Sequence, residues 1–187
     1  MSLTDNYFQL YDLPQQYVLD ENVLRATYRD LQRKTHPDKF ADASKQEQRL
    51  AVQYAAVIND AYDVLSSPLK RAIYMLKLKG FELDAYQSVP MGGMFLMEQI
   101  ELREELEQVM NGPDPEIVLD KISTQLERQL DTLQAEFLAL IPQINDASTQ
   151  DSPQMVVDGA IEVVKKMQFL VKIQAEVGHL EHELLDD

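Results

Sequence analysis

His36-Pro37-Asp38-Lys39-Phe40 stands between two segments whose apolar residues recur at helical spacing, and this placement decides the fold. Before it, Leu24, Tyr28 and Leu31 mark one amphipathic helix; after it, Leu50, Tyr54, Val57, Ile58, Ala61 and Leu65 mark another. Pro37 disfavours the helical region for His36 and supplies no backbone donor, so the first helix is expected to stop near Thr35. Two helices joined by a polar tip form an antiparallel hairpin. Working outward, Ser67-Pro68 offers an N-cap with proline at the first helical position, and Leu69, Ile73 and Leu76 then predict a short helix. Lys77 and Lys79 suit its C-terminal dipole, and Gly80 suits a left-handed closing residue.

The helix before the tip carries Arg25, Arg29 and Arg33 at i, i+4 and i+8, a basic stripe that ends near the exposed carboxylate of Asp38. Taken singly, the stripe reads as a solvated helix face and the tripeptide as an ordinary turn; together they read as a docking surface. These residues resemble the J domain of the DnaJ class of co-chaperones, whose His-Pro-Asp loop docks on a DnaK-type ATPase. The resemblance implies that Arg25, Tyr28 and Arg29 face that chaperone, with Arg33 beside them on the stripe, and that His36, Pro37 and Asp38 form the activating loop. A hydrolase using His36 and Asp38 is disfavoured, since no nucleophile or oxyanion site stands beside them in the sequence.

Composition narrows the remaining classes. The chain has no cysteine, which excludes disulfides, thiolate nucleophiles and cysteine-held zinc or iron-sulfur sites, and it has three histidines, too few for a histidine-rich metal site. Glu181, His182 and Glu183 read as a solvated helix end. No run is apolar enough to span a bilayer and no secretory leader is evident, so a cytoplasmic protein is expected. The net charge of −15 is divided unevenly: residues 1–79 hold 11 Lys+Arg against 10 Asp+Glu, giving +1, whereas residues 80–187 hold 6 against 22, giving −16. An acidic second half repels nucleic acid and suits a basic protein partner, beyond its ordinary service to solubility. We therefore expect two modules, residues 1–79 and 94–187, with a linker at 80–93 that contains Pro90 and Gly92-Gly93 and is partly anchored by Phe81, Leu83 and Tyr86.

Beyond Gly93 three more helices are expected, separated by Asn111-Gly112-Pro113-Asp114-Pro115 and by a polar stretch from Asn145 to Pro153. Asp114 is a candidate cap with Pro115 at the first helical position, and Ser152-Pro153 repeats the pattern. Leu119, Ile122, Leu126, Leu130, Leu133, Phe137 and Leu140 give the middle helix a near-heptad seam. Val156, Ala160, Val164, Met167 and Val171 give the last helix its inward seam and leave Phe169 outward. Seams joined by short connections imply an antiparallel three-helix bundle, and no strand alternation occurs, so the fold class is all-α.

On the first of these three helices, Phe95, Leu102, Leu106 and Val109 share one face, while Leu96, Met97 and Ile100 lie on the other with Glu101, Glu104 and Gln108. Periodicity alone leaves that second apolar face equally suited to covering the linker or the first module. Phe-Leu-Met-Glu-Gln-Ile-Glu-Leu-Arg-Glu-Glu-Leu, residues 95–106, is similar to the start of the C-terminal domain in the HscB family, the J-proteins of iron-sulfur cluster biogenesis. The likeness runs in order from Asn6-Tyr7-Phe8-Gln9-Leu10 through the His-Pro-Asp-Lys-Phe loop to this motif; between Glu107 and Gln154 only the helical pattern supports it. It implies a co-chaperone, not an enzyme, that presents the cluster scaffold IscU to the DnaK-like chaperone HscA. Leu96, Met97, Ile100, Glu101, Glu104 and Phe169 would meet the scaffold. A J-domain adaptor for a different client is the alternative. ATP and the cluster belong to the partners; no cofactor or metal is expected of the chain, which lacks the cysteine-rich zinc segment of some eukaryotic relatives and so favours the bacterial type.

Overall fold

The computed structural model describes residues 6–40, 43–110, 112–145 and 153–186. Seven helices account for most of them: α1 (Tyr7–Leu10), α2 (Glu21–Thr35), α3 (Lys45–Ser66), α4 (Pro68–Leu78), α5 (Gly93–Val109), α6 (Pro115–Leu140) and α7 (Gln154–Asp186). Short 3-10 turns cover Pro37–Phe40, Leu83–Tyr86 and Ile141–Gln143, and no strand occurs among the described residues. None of the described helices is long and apolar enough to cross a membrane. The chain divides into two compact units, Met1–Met75 and Leu76–Asp187, so the division falls inside α4, a few residues before Gly80.

In the first unit, α2 and α3 pack against each other and α1 packs on α3. Asp20 caps α2 by accepting the Asn22 and Val23 N–H groups at 2.8 and 3.2 Å. The helix ends at Thr35, whose hydroxyl donates to the Leu31 carbonyl, and His36 is extended at ψ 130°, as Pro37 requires. Ser44 and Glu47 form a reciprocal capping box that starts α3. Ser67 Oγ accepts the Lys70 N–H of α4, and Gly80 closes that helix at φ 87°. Phe8, Tyr11, Leu24, Leu31, Ile58, Ala61, Leu65 and Ala72 form the core. Leu50, expected in the seam of α3, is exposed, and Ala51 is buried instead.

Two buried polar groups bind this core together. Arg71 lies over the Tyr17 ring at 5.6 Å and donates to the carbonyls of Leu65, at 2.9 Å, and of Tyr17. The Tyr11 hydroxyl donates to the Ile58 carbonyl at 2.8 Å. Burial pushes the Tyr17 phenol up to about 12 despite the nearby Arg71 charge, and it raises Tyr11 and Tyr74 as well. An unfolded tyrosine ionises near 10, so these phenols contribute stability in full below that pH and lose it as pH rises toward 12. The thermal midpoint is therefore expected to fall between pH 8 and pH 11. Tyr17→Phe should remove about 1–2 kcal/mol of that alkaline loss. Equal pH dependence in the two proteins would show that the buried Tyr17 phenol does not drive the loss.

The second unit is an antiparallel three-helix bundle in which α6 packs on both α5 and α7. Its core takes Leu102, Leu106 and Val109 from α5, with Leu119, Ile122, Leu126, Leu130, Leu133 and Phe137 from α6. From α7 come Val157, Ala160, Ile161, Val163, Val164, Met167, Leu170, Ile173 and Val177. The expected α7 seam is thus corrected at two places. Val156 is only half-buried and Val171 is exposed, because the packed face turns through Val157 and Leu170 beside them.

Asp114 does not cap α6 with its side chain. It takes the left-handed region at φ 54°, which Asp tolerates better than most residues, and its backbone carbonyl accepts the Ile117 and Val118 N–H groups. Asn111 and the Ser152 cap lie outside the described residues. The stretch expected as a linker is attached to the bundle: Phe81 is buried, and Lys165 of α7 donates to the carbonyls of Tyr86, Gln87 and Val89.

Candidate functional site

The first surface lies on α2, the Pro37–Phe40 turn and α3. Arg25, Arg29 and Arg33 are all exposed on α2. Arg29 and Arg33 join Gln32, Thr35, His36 and Lys39, with Ala55 and Asn59 of α3, around a groove of about 660 Å³. Arg25 lies one turn back along the stripe, outside this groove. Among the described residues no carboxylate lines it, and Asp30 on the same helix is engaged by Lys34 at 2.7 Å, whose hydrogen bond holds the Asp30 carboxyl below its ordinary range. The groove is thus a field of positive charge with amide donors between the cations, suited to a partner carboxylate.

The turn itself is held by local bonds. The Lys39 N–H donates to the His36 carbonyl at 3.0 Å, and the Asp38 N–H donates to His36 Nδ1 at 3.3 Å. Asp38 Oδ2 comes within 3.4 Å of the same nitrogen, yet the Asp38 side chain is 89% exposed and that of His36 59%. An acid and a histidine this close invite comparison with a hydrolytic pair. Among the described residues the only hydroxyl lining the groove belongs to Thr35, and it is donated to the Leu31 carbonyl, so none of them pairs a nucleophile with His36 there.

Tyr28 is half-buried. Its ring stacks on Tyr62 with centroids 4.0 Å apart, and its hydroxyl donates to Asn59 Oδ1 at 3.0 Å and accepts from Gln32 Nε2 at 2.5 Å. One edge of the basic stripe is thereby fixed to α3. Gln32, Lys39 and Asn59 were not singled out from the sequence, although Lys39 stands inside the quoted loop and Gln32 follows Tyr28 by one helical turn. Asn59 had no signal, because only the packing of α3 on α2 brings it there.

The second surface is the outer face of α5. Leu96, Met97 and Ile100 are exposed, the last two by 66% and 60%, and Glu101 and Glu104 are exposed beside them. Met94, 79% exposed, precedes Met97 by three residues and extends the apolar strip; the same spacing could have flagged it in the sequence. The opposite side buries Gln99, Leu102, Leu106 and Val109. Four apolar side chains exposed on one helix and edged with acid form a patch of the kind suited to binding a protein rather than scattered surface. Phe169 does not point freely outward: it is half-buried, edge-on to Phe95 with centroids 6.2 Å apart and planes at 77°. Phe95 is what joins it to α5.

Comparison with known proteins covers both units. Residues 6–74 match the family model described as the DnaJ domain, and residues 91–178 match that of the HSCB C-terminal oligomerisation domain. The co-chaperone protein HscB homolog of Vibrio cholerae serotype O1 is 42% identical over 96% of this chain and 99% of its own length. That of Vibrio vulnificus is 41% identical over 96% and 98%. Among solved structures, the chaperone HscB from Vibrio cholerae superposes with a TM-score of 0.78 at 39% identity, over 96% of this chain and 99% of that one. Human co-chaperone protein HscB gives 0.75 at 26% identity, over 97% and 84%. A J domain, a C-terminal HscB domain and relatives of this identity along nearly the whole chain place the protein in the HscB family of J-domain co-chaperones.

Proposed function

We propose that the protein stimulates the ATPase of the DnaK-like chaperone HscA and delivers to it the iron-sulfur scaffold IscU, in the cytoplasm, so promoting maturation of iron-sulfur proteins. In this reading residues 1–79 dock on the chaperone through Arg25, Tyr28, Arg29, Arg33, His36, Pro37 and Asp38. Residues 94–187 bind the scaffold through Leu96, Met97, Ile100, Glu101, Glu104 and Phe169, with residues 80–93 between them. ATP and the cluster are held by the partners.

The observation that supports it best is the pairing, on two compact units of one chain, of unlike surfaces. One is a cationic groove beside an exposed His36–Asp38 turn; the other is an apolar strip edged by Glu101 and Glu104. The first suits an acidic, carboxylate-rich partner; the second suits an apolar surface with basic surroundings. A single-turnover ATPase assay of the chaperone tests the proposal, using the full chain with and without scaffold. Stimulation by the chain, increased further by scaffold, is expected. Stimulation that scaffold leaves unchanged, with no scaffold binding in calorimetry, would make the protein an adaptor for another client.

A further inference from the structure

The half of α5 that presents Leu96 and Met97 receives little from the core of its own unit. From Gly93 to Glu98 no side chain is buried; burial begins at Gln99 and continues with Leu102, Leu106 and Val109. Even Gln99 contributes poorly, since neither atom of its buried amide has a hydrogen-bond partner among the described residues. Gly92 precedes the helix at φ 74° and offers no side-chain cap. A helix end of this kind frays unless something outside it supplies order.

That order comes from a short stretch of α7. The Lys165 ammonium donates three hydrogen bonds, to the carbonyls of Tyr86 at 2.8 Å, Gln87 at 2.9 Å and Val89 at 2.7 Å. An ammonium has three donors, so the set is complete, and the chain leading into α5 is fixed on α7. Lys166 stands 5.6 Å above the Phe95 ring and 2.7 Å from Glu162 Oε1, with 20% of its side chain exposed. Phe95 meets Phe169 on its other contact. Glu162 Oε1 also lies 3.4 Å from the place a Gly92 Cβ would occupy, which sets a negative charge beside the N-terminus of α5, where the helix dipole favours it.

We infer that Lys165 and Lys166 are positioning residues for the partner-binding face of α5. Lys165 holds the entering chain, and Lys166, oriented by Glu162, holds the first turns through Phe95. The inference rests on the reading of α5 as the scaffold-binding helix. Ordering the face before binding removes an entropic cost that the complex would otherwise bear. The two lysines also differ in what can replace them. A planar guanidinium cannot converge on three carbonyls as a compact ammonium does, whereas it serves as well as or better than lysine over an aromatic ring.

The test combines backbone hydrogen exchange with calorimetric titration of IscU, both on the full chain. Lys165→Met and Lys166→Met should each speed amide exchange in residues 86–98 by about tenfold and weaken scaffold binding by about five- to tenfold, leaving α6 exchange unchanged. Lys166→Arg should stay within about twofold of wild type, while Lys165→Arg should resemble Lys165→Met. Unchanged exchange in residues 86–98 would overturn the inference, as would faster exchange with unaltered affinity. Faster exchange throughout α6 would reduce the lysines to general stability and likewise overturn it. Failure of the wild-type chain to bind scaffold at all would sink the scaffold reading itself, and the exchange data would still decide whether these lysines order α5.

Discussion

His36→Gln and Asp38→Asn should each abolish stimulation of the chaperone ATPase while leaving the helical content and thermal midpoint within error of wild type. Both side chains are mostly solvent-exposed, and the turn is maintained in part by the Lys39 N–H to His36 carbonyl bond, which neither substitution touches. Surface changes of this kind alter stability by no more than about 0.5 kcal/mol. What they remove is the negative charge and one of the two acceptor oxygens that Asp38 offers to a partner arginine or amide, and the His36 Nδ1 that receives the Asp38 N–H. Circular dichroism and single-turnover ATPase on the same preparations check both halves of the expectation. Normal stimulation by either variant would mean that the loop does not engage the ATPase. Reversing charge at Arg25 and Arg29 acts differently: encounter should slow, and the defect should shrink as salt rises, because steering is screened over about 10 Å at 0.1 M.

The second large effect is expected on α5. Leu96→Ala, Met97→Ala and Ile100→Ala together should weaken scaffold binding by at least about 2 kcal/mol, about 30-fold, because interface energy gathers in a few apolar anchors that become buried. All three side chains are exposed in the free protein, so truncating them leaves no cavity and the bundle should melt unchanged. Basal stimulation of the chaperone should survive, and the extra stimulation that scaffold provides should be lost. Phe169→Ala belongs in a separate variant. Its ring packs on Phe95, so its removal disturbs the setting of α5 as well as any contact with a partner. Unchanged affinity in the folded triple variant would return the strip to incidental surface.

Much of this was legible in the sequence where a local steric rule governs. Pro37 ends α2 at Thr35, Ser67-Pro68 starts α4, and Gly80 closes it, because each depends on backbone geometry within a few residues. The two apolar faces of α5 were legible from spacing, but which of them stays exposed was not, since periodicity left the face of Leu96, Met97 and Ile100 equally suited to covering the linker or the first module. Periodicity fails at the width and edges of a face. Leu50 and Val171 keep the helical spacing yet lie exposed, since only the position of the neighbouring helix decides where a packed stripe stops. Asp114 has the right side chain for a cap, but its backbone is left-handed and its side chain makes no capping bond.

The least legible features are those that act across long sequence separations through the backbone. Lys165 meets carbonyls 76 to 79 residues away, and a carbonyl belongs to every residue, so nothing in the sequence marks its acceptors. Spacing put Tyr28 in the apolar pattern with Leu24 and Leu31, and the J-domain resemblance put it among the partner-facing residues, but its stacking on Tyr62 and its bond to Asn59 needed the packing of α2 against α3 to become visible. The groove followed in the same way. Its cations were named in part from the stripe, while its far wall of Ala55 and Asn59 belongs to a helix that begins after the turn.

The separability of the two surfaces is tested most directly by calorimetric titration of IscU into three full-length proteins: wild type, His36→Gln and the Leu96→Ala, Met97→Ala, Ile100→Ala variant. The loop variant should bind scaffold with wild-type affinity although it no longer stimulates the ATPase, and the α5 variant should bind at least about 30-fold more weakly. Equal affinity for scaffold in all three proteins, or its loss in His36→Gln, would contradict a chain that docks its chaperone through one unit and its client through the other.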